Sequence, residues 1–129
     1  MSEANVLKMV LLRLSELGAR VFRQNTGLAW AGEVVERSPT RLVLRNPRPL
    51  HAGLCKGSSD AIGWTPVVIT PEMVGRTVAV FTAAETKSGR GKATDEQLNF
   101  VAQVKKAGGI AGVVWTPEQA AELVLTYRP

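Results

Sequence analysis

Residues 84–97 read AETKSGRGKATDEQ. An apolar run ends at Ala84, Glu85 and Lys87 follow two apart, and a basic, glycine-bearing turn leads on to Thr94. Thr94 and Gln97 match a Thr-x-x-Gln capping box, in which the two residues satisfy free backbone donors at a helix start. The stretch therefore joins a strand end to a helix start through a loop. Upstream, RTVAVFTAAET from Arg76 reads as a long strand, apolar enough to be buried on both faces. Downstream, the helix is expected to turn Leu98, Val101 and Val104 inward and to stop at Gly108-Gly109. IAGVVW, from Ile110 to Trp115, reads as a second buried strand. Thr116-Pro117-Glu118-Gln119 repeats the capping logic and opens a last helix to about Tyr127.

Toward the N-terminus, residues 3–17 predict a helix with Val6, Met9, Val10, Leu14 and Leu17 on one face, ending at Gly18. A short strand follows over Ala19–Arg23, punctuated by Thr26-Gly27. Residues 33–45 predict a hairpin, EVVER and RLVLR around a Ser38-Pro39-Thr40 turn. The prolines and turn signals of 46–58 predict a loop, DAIGW from Asp60 a strand, and TPEM at Thr70 one helical turn. The fold class expected is α/β with a central mixed sheet flanked by helices, in the rough order α-β-β-β-β-α-β-α. No repeat, linker or low-complexity tract interrupts residues 1–129, so a single domain is expected.

Composition narrows the chemistry. At 45% hydrophobic and 21% charged, the chain can bury a core. It has no apolar run near the ~20 residues of a membrane helix, and Met1-Ser2-Glu3 lacks the basic start of a secretory signal. A soluble, cytoplasmic protein is expected, with no membrane partner. One cysteine, Cys55, and one histidine, His51, preclude an internal disulfide and leave too few ligands for a Cys/His zinc site. Cys55 is expected to be inert and His51 to lie on a loop surface. The net charge of +5 gathers in two groups, Arg37, Arg41, Arg45, Arg48 and Lys56, then Lys87, Arg90, Lys92, Lys105 and Lys106. Such a balance suits phosphate backbones through counterion release, and equally suits plain solubility.

The opening stretch is not a Walker loop. Gly91-Lys92 is followed by Ala93, and the place of the first glycine is taken by Thr86, so no nucleotide cofactor is expected. The carboxylates are more informative. Asp60 opens a strand after a Gly-Ser-Ser approach, and Glu85 closes another. Two converging carboxylates repel unless a cation lies between them, and Mg²⁺ takes one or two carboxylates and fills its shell with water and phosphate. Strand alternation puts Glu85 and Lys87 on one side and leaves Thr86 to offer its backbone carbonyl. Acid, acid, lysine and Mg²⁺ together suit phosphodiester hydrolysis. The bland readings stay open beside this one. Gln97 can serve only the helix cap, Glu3 only the helix dipole, and Arg23 only solvent, while Trp30, Trp64 and Trp115 can serve packing instead of base stacking.

KGSSDAIGW together with AETKSGRGKATDEQLNFVAQVKKAGGIAGVVW resembles the virus-type replication-repair nuclease domain, VRR-NUC, of the PD-(D/E)XK nuclease superfamily. The likeness runs from Glu3 through RVFRQNTG to TPEQAAEL. It implies a restriction-endonuclease-like fold and a metal-dependent, structure-selective DNA endonuclease of a bacterial or phage-infected cell. Such an enzyme would act on branched DNA such as four-way (Holliday) junctions, work as a homodimer, and leave 5′-phosphate and 3′-hydroxyl ends. By resemblance, Asp60, Glu85 and the Thr86 carbonyl would hold Mg²⁺, for which Mn²⁺ can substitute. Lys87 would be the catalytic lysine, Gln97 would complete the site, and Glu3 would reach the metal region through water. Arg23 and Asn25 of the R-x-N-x-G segment would meet DNA, joined by Lys56, Ser59, Arg90 and Lys92. Ser59 stands where family members often have proline, and TPVVITPEMVGRT lengthens the stretch between Asp60 and Glu85. A non-catalytic DNA-binding module of the same fold is the rival expectation.

Overall fold

A computed structural model describes all 129 residues, Met1–Pro129. The elements are α1 (Glu3–Glu16), β1 (Arg20–Arg23), β2 (Gly27–Ser38), β3 (Arg41–Ala52), β4 (Ala61–Trp64), a 3-10 turn (Pro71–Met73), β5 (Thr82–Thr86), α2 (Asp95–Lys106), β6 (Ile110–Val114) and α3 (Pro117–Leu125). The chain is a mixed α/β fold with three helices and small sheets. Five strands precede α2, one more than the expected order. In place of one central mixed sheet stand three two-stranded ladders, β1–β4, β2–β3 and β5–β6. No helix is long and apolar enough to cross a membrane. Backbone contacts divide the chain into two compact units, Met1–Gly63 and Trp64–Pro129.

In the first unit, Ser2 caps α1, its side chain accepting a hydrogen bond from the Asn5 amide, and Glu3 occupies the first turn. An acid there is favoured by the partial positive charge of the helix start. Leu7, Leu11 and Leu14 are the half-buried residues of α1, which packs on β1. The expected stripe is corrected, because Val6, Met9, Val10 and Leu17 are exposed. Apolar side chains surround this helix, and the i, i+4, i+7 row of leucines lies inward. β4 approaches β1 closely at Gly63, where an added Cβ would collide with the Arg20 carbonyl and come within 2.7 Å of the Val21 Cα. A strand glycine here marks that close backbone approach.

The hairpin is longer than its sequence signals. Its register runs from Gly27↔Ala52 to Ser38↔Arg41, with irregularities between Ala31 and Glu33 and between Val34 and Glu36. Residues 46–52, expected as loop, belong to β3. Proline lacks an N–H and is tolerated on edge strands and at bulges. Pro47 and Pro49 satisfy that condition, since β3 borders a two-stranded ladder and Asn46 beside them adopts φ 50°.

The second unit is built on β5 and β6, which pair in parallel from Thr82↔Ile110 to Thr86↔Val114. α2 packs on both strands and α3 on β6. Parallel neighbours need a crossover element, and α2 supplies it. β6 is mostly buried, whereas β5 alternates, with Ala83 and Glu85 half-buried and Thr82, Ala84 and Thr86 exposed. The expectation of a long β5 buried on both faces is thereby corrected. Residues 76–81 form no strand, and β5 has one strand neighbour and one helix to cover it. Trp64 packs its ring against Phe81 and Phe100, with centroids 5.0 and 5.9 Å away. The Tyr127 hydroxyl donates to the Gly108 carbonyl, tying the end of α3 to the turn before β6.

Within α2, Val104 is 1% exposed and Val101 half-buried, but Leu98 is 48% exposed and does not face inward as expected. The covered row is Gln97, Val101 and Val104, one position round from Leu98. Val104→Ala should therefore cost about 2 kcal/mol through lost burial and a cavity. Leu98→Ala should cost less than about 1 kcal/mol. Urea denaturation of the two variants checks the order, and equal losses would contradict this packing.

Candidate active site

The end of β5 gathers three of the residues singled out from the sequence. The Glu85 Oε1 lies 3.0 Å from the Lys87 Nζ. The same oxygen accepts a hydrogen bond of 2.7 Å from the Gln97 Nε2. Alternation accounts for the pair, since Glu85 and Lys87 share a side of the strand while Thr86 between them is exposed. The ladder enforces it one residue beyond the strand, where the Lys87 amide donates to the Val114 carbonyl at 3.0 Å.

Gln97 holds both of its expected roles at once. Its Oε1 accepts from the Thr94 amide at 2.9 Å, while its own amide donates to the Thr94 hydroxyl, completing the capping box. Its Nε2 remains for Glu85. Each end of the side-chain amide is thus used, and rotating it would break contacts on both sides. The Glu85 Oε2 accepts no hydrogen bond from the protein. Glu85, Gln97 and Glu96 line a pocket of about 330 Å³ whose apolar wall is Ala83, Phe100 and Val101. Glu96 was not singled out from the sequence. It reads there as an ordinary first-turn acid, and only the fold turns it toward the pocket.

The loop after Lys87 is pinned at two points. The Gly91 amide donates to the Ser88 carbonyl, and the Trp115 Nε1 donates to the Gly91 carbonyl at 3.3 Å. Arg90 and Lys92 extend from this loop into solvent. Gln119 differs from Gln97 in its cap. It receives the amide of Trp115, at 2.6 Å, while the Thr116 side chain accepts from the Gln119 amide.

The remaining expected residues lie in the first unit, around a residue the sequence did not mark. Gln24 is half-buried between two exposed neighbours, Arg23 and Asn25, which bond to each other through Nε and Oδ1 at 3.3 Å. The Gln24 Nε2 donates to the Ser58 hydroxyl at 2.8 Å and to the Ser59 carbonyl at 3.1 Å. Its Oε1 accepts from the Leu54 amide and the Thr26 hydroxyl at 3.1 and 3.2 Å. Its backbone amide donates to the Asp60 carbonyl at 2.7 Å. One side chain thus fixes the loop from Leu54 to Ser59 and the approach to Asp60.

Gly53 lets that loop close on Gln24. Its φ is +84°, and an added Cβ would collide with the Asn25 carbonyl and the Gln24 Oε1. Asp60 itself is exposed, its carboxylate bonded to no protein donor, and Lys56 and Ser59 are exposed beside it. Nothing local in sequence marks Gln24, because its partners lie about thirty residues away.

Glu3 is exposed in the first turn of α1. Asp60 belongs to the first unit and Glu85 to the second. No group of three or more His, Cys, Asp or Glu side chains gathers as a metal centre. Trp30 is exposed, so it is not a core residue, and Cys55 and His51 are exposed as well. Comparison with known proteins returns no matching family model, no matching curated protein and no matching solved structure.

Gln24→Ala removes four side-chain hydrogen bonds at a half-buried position. At about 0.5–1 kcal/mol net for each, stability should fall by about 2–4 kcal/mol. In hydrogen exchange, the amides of residues 54–59 should lose protection in this variant while those of α2 keep theirs. Equal loosening of both regions would deny Gln24 its local role.

Proposed function

We propose that this chain is a metal-dependent, structure-selective DNA endonuclease of the restriction-endonuclease-like PD-(D/E)XK class, resembling the VRR-NUC type. The observation that carries the reading is one carboxylate oxygen at a strand end, Glu85 Oε1, contacted by both the Lys87 ammonium and the Gln97 amide. Gln97 orients the acid, the acid holds the ammonium, and the other carboxylate oxygen stays open to a ligand. An ordinary solvated ion pair would have neither the half-buried amide nor the adjoining pocket.

The donors assigned to the metal are the carboxylates of Asp60 and Glu85 and the Thr86 carbonyl. They are all oxygen, which fits Mg²⁺ and also Mn²⁺. Both acids keep oxygens uncommitted to protein donors, and that supports the assignment. When bound, the cation lowers the pKa of a water molecule and offsets charge on the phosphate. The chain's own groups do the rest.

An ammonium has three N–H bonds. Paired with Glu85 Oε1 at 3.0 Å, that of Lys87 would turn N–H bonds toward the attacking water and a non-bridging phosphate oxygen. As water adds to phosphorus, the bond to the 3′ oxygen breaks. The water's proton leaves to solvent and the 3′ oxygen takes a proton from solvent. The products are a 5′-phosphate and a 3′-hydroxyl. Arg23, Asn25, Lys56, Ser59, Arg90 and Lys92 are the DNA contacts assigned. All six are exposed, four of them cationic, on a chain of net charge +5. Glu3 is assigned a water-mediated place beside the metal. Branched DNA, such as a four-way junction, is the proposed substrate, and a homodimer inside the cell the working form. Two symmetric cuts require two related sites.

The test uses labelled linear, flap, splayed and four-way DNA with Mg²⁺ or with EDTA. Native protein should cut the four-way form with Mg²⁺ and leave it intact with EDTA. Lys87→Ala should slow cleavage by on the order of 10²–10³-fold, with DNA affinity nearly unchanged. Undiminished cleavage in that variant would refute the mechanism. Salt-sensitive binding with no new ends on any substrate would establish the non-catalytic module instead.

A further inference from the structure

Trp115 follows the last residue of β6, the buried Val114, and is held at two points. Its backbone amide donates to the Gln119 Oε1 at 2.6 Å, and its indole N–H donates to the Gly91 carbonyl at 3.3 Å. The residue is nevertheless 45% exposed. The indole N–H is the only polar group of this side chain, and here it is committed inside the protein. What the side chain offers outward is therefore ring surface. Gly91 also stands beside the stem of Lys87, since a Cβ added to it would lie 3.7 Å from the Lys87 Cβ and 3.8 Å from its Cδ. The ladder agrees, because Lys87 follows Thr86, the partner of Val114, and donates its amide to the Val114 carbonyl. A fixed, part-open indole thus adjoins the lysine whose ammonium contacts Glu85. The other two tryptophans differ. Trp64 packs on Phe81 and Phe100, and Trp30 lies in the first unit.

We propose that Trp115 is a stacking platform for one unpaired DNA base beside the scissile phosphate, and that it makes the site favour branched or splayed DNA over continuous duplex. The inference rests on the reading of this face as a DNA site, and not on cleavage. Three features select a base as the occupant. The first is charge. Segment 87–92, which the indole ties down, holds Lys87, Arg90 and Lys92 and no acid, so its surroundings suit a chain of phosphates. The second is the chemistry of the ring. Stacking on an aromatic face asks for no hydrogen bond from the protein, and this indole has none left to give. The third is rigidity. A side chain already held through its N–H and its backbone amide gives up little further freedom when a base lies on it. In continuous duplex the neighbours cover both faces of a base. Exposing one means unstacking it, which is easiest for a base that is already unpaired. Branch points and splayed ends supply such bases, and a base held on Trp115 would also fix the phosphate joined to it near Lys87.

The test measures binding of fluorescein-labelled splayed-arm DNA and linear duplex in EDTA, so that no strand is cut. Native protein should hold the splayed form on the order of 10-fold more tightly. Trp115→Ala should lose that margin and bind duplex as native protein does. Abasic residues are then moved one position at a time through the unpaired strand near the branch. At one position native protein should lose about 10-fold in affinity, and the same strand should bind Trp115→Ala no worse than the intact one, because the two changes remove one contact. Trp115→Phe keeps a ring without the bond to Gly91 and should keep most of the margin. A Phe variant as weak as the Ala variant would show that the indole only ties the loop, and would overturn the proposal. So would a Trp115→Ala protein that still favours the splayed form, or abasic strands that native protein binds as tightly as intact ones at every position. Circular dichroism reports whether Trp115→Ala is folded. If it is not, the abasic scan on native protein and the Phe variant decide. Native protein that binds no DNA would overturn this proposal and the DNA reading together. Base-dependent binding as expected, with no cutting in Mg²⁺, would overturn the nuclease reading and leave the platform standing.

Discussion

The amide of Gln97 joins a helix start to a strand end. Its oxygen belongs to the cap of α2 and its nitrogen to Glu85. A side-chain amide has one acceptor and one donor end, and here neither can be spared. The position of α2 relative to β5 is therefore coupled to the orientation of the acid. The parallel ladder adds the second constraint, because Lys87 is still held to Val114 after the strand formally ends. A carboxylate fixed from the helix side and an ammonium fixed from the strand side meet without relying on a flexible loop. The arrangement of the two groups is therefore set by the fold itself.

The first unit repeats the device with a different glutamine. Gln24 bridges a strand end and a loop of six residues, and it reaches Asp60 through the backbone. Gln97 bonds to one oxygen of Glu85 and leaves the other unclaimed, whereas Gln24 meets only the Asp60 backbone and leaves the whole carboxylate without a protein donor. Structural carboxylates ordinarily end with donors on both oxygens or with full exposure. An oriented acid with an uncommitted oxygen suits a ligand better than a scaffold, and Glu85 meets that description, whereas Asp60 is exposed and unheld.

What the sequence revealed divides by range. Thr94, Gln97, Thr116 and Gln119 announced both C-terminal helices because a cap is a contact over three residues. Glu85 and Lys87 were placed on one side correctly because strand alternation is equally local. Leu98 and the α1 stripe were misjudged, since several apolar residues competed for the inward row and only the neighbouring strand decides among them. β3 was truncated at Arg45 because Pro47 and Pro49 argue against a central strand, and whether a strand is central depends on partners the sequence does not show. The expected central mixed sheet failed for the same reason: element order does not determine which edges pair. Gln24 and Glu96 escaped notice because their significance arises from residues distant in the chain or from the face a helix turns inward.

The hairpin places its own demand on the sequence. Polar residues on both faces would have left it soluble and unattached, and apolar residues on both would have invited aggregation. The sequence instead sets the ion pairs Glu33–Arg45 and Glu36–Arg41 beside Val43 and Leu50 on one face and leaves the other mostly apolar, with proline interrupting an edge. Pro47 and Pro49 remove two backbone donors from β3, which hinders the addition of another strand at that edge. The residues that carry the chemistry of β5 take no part in that hairpin.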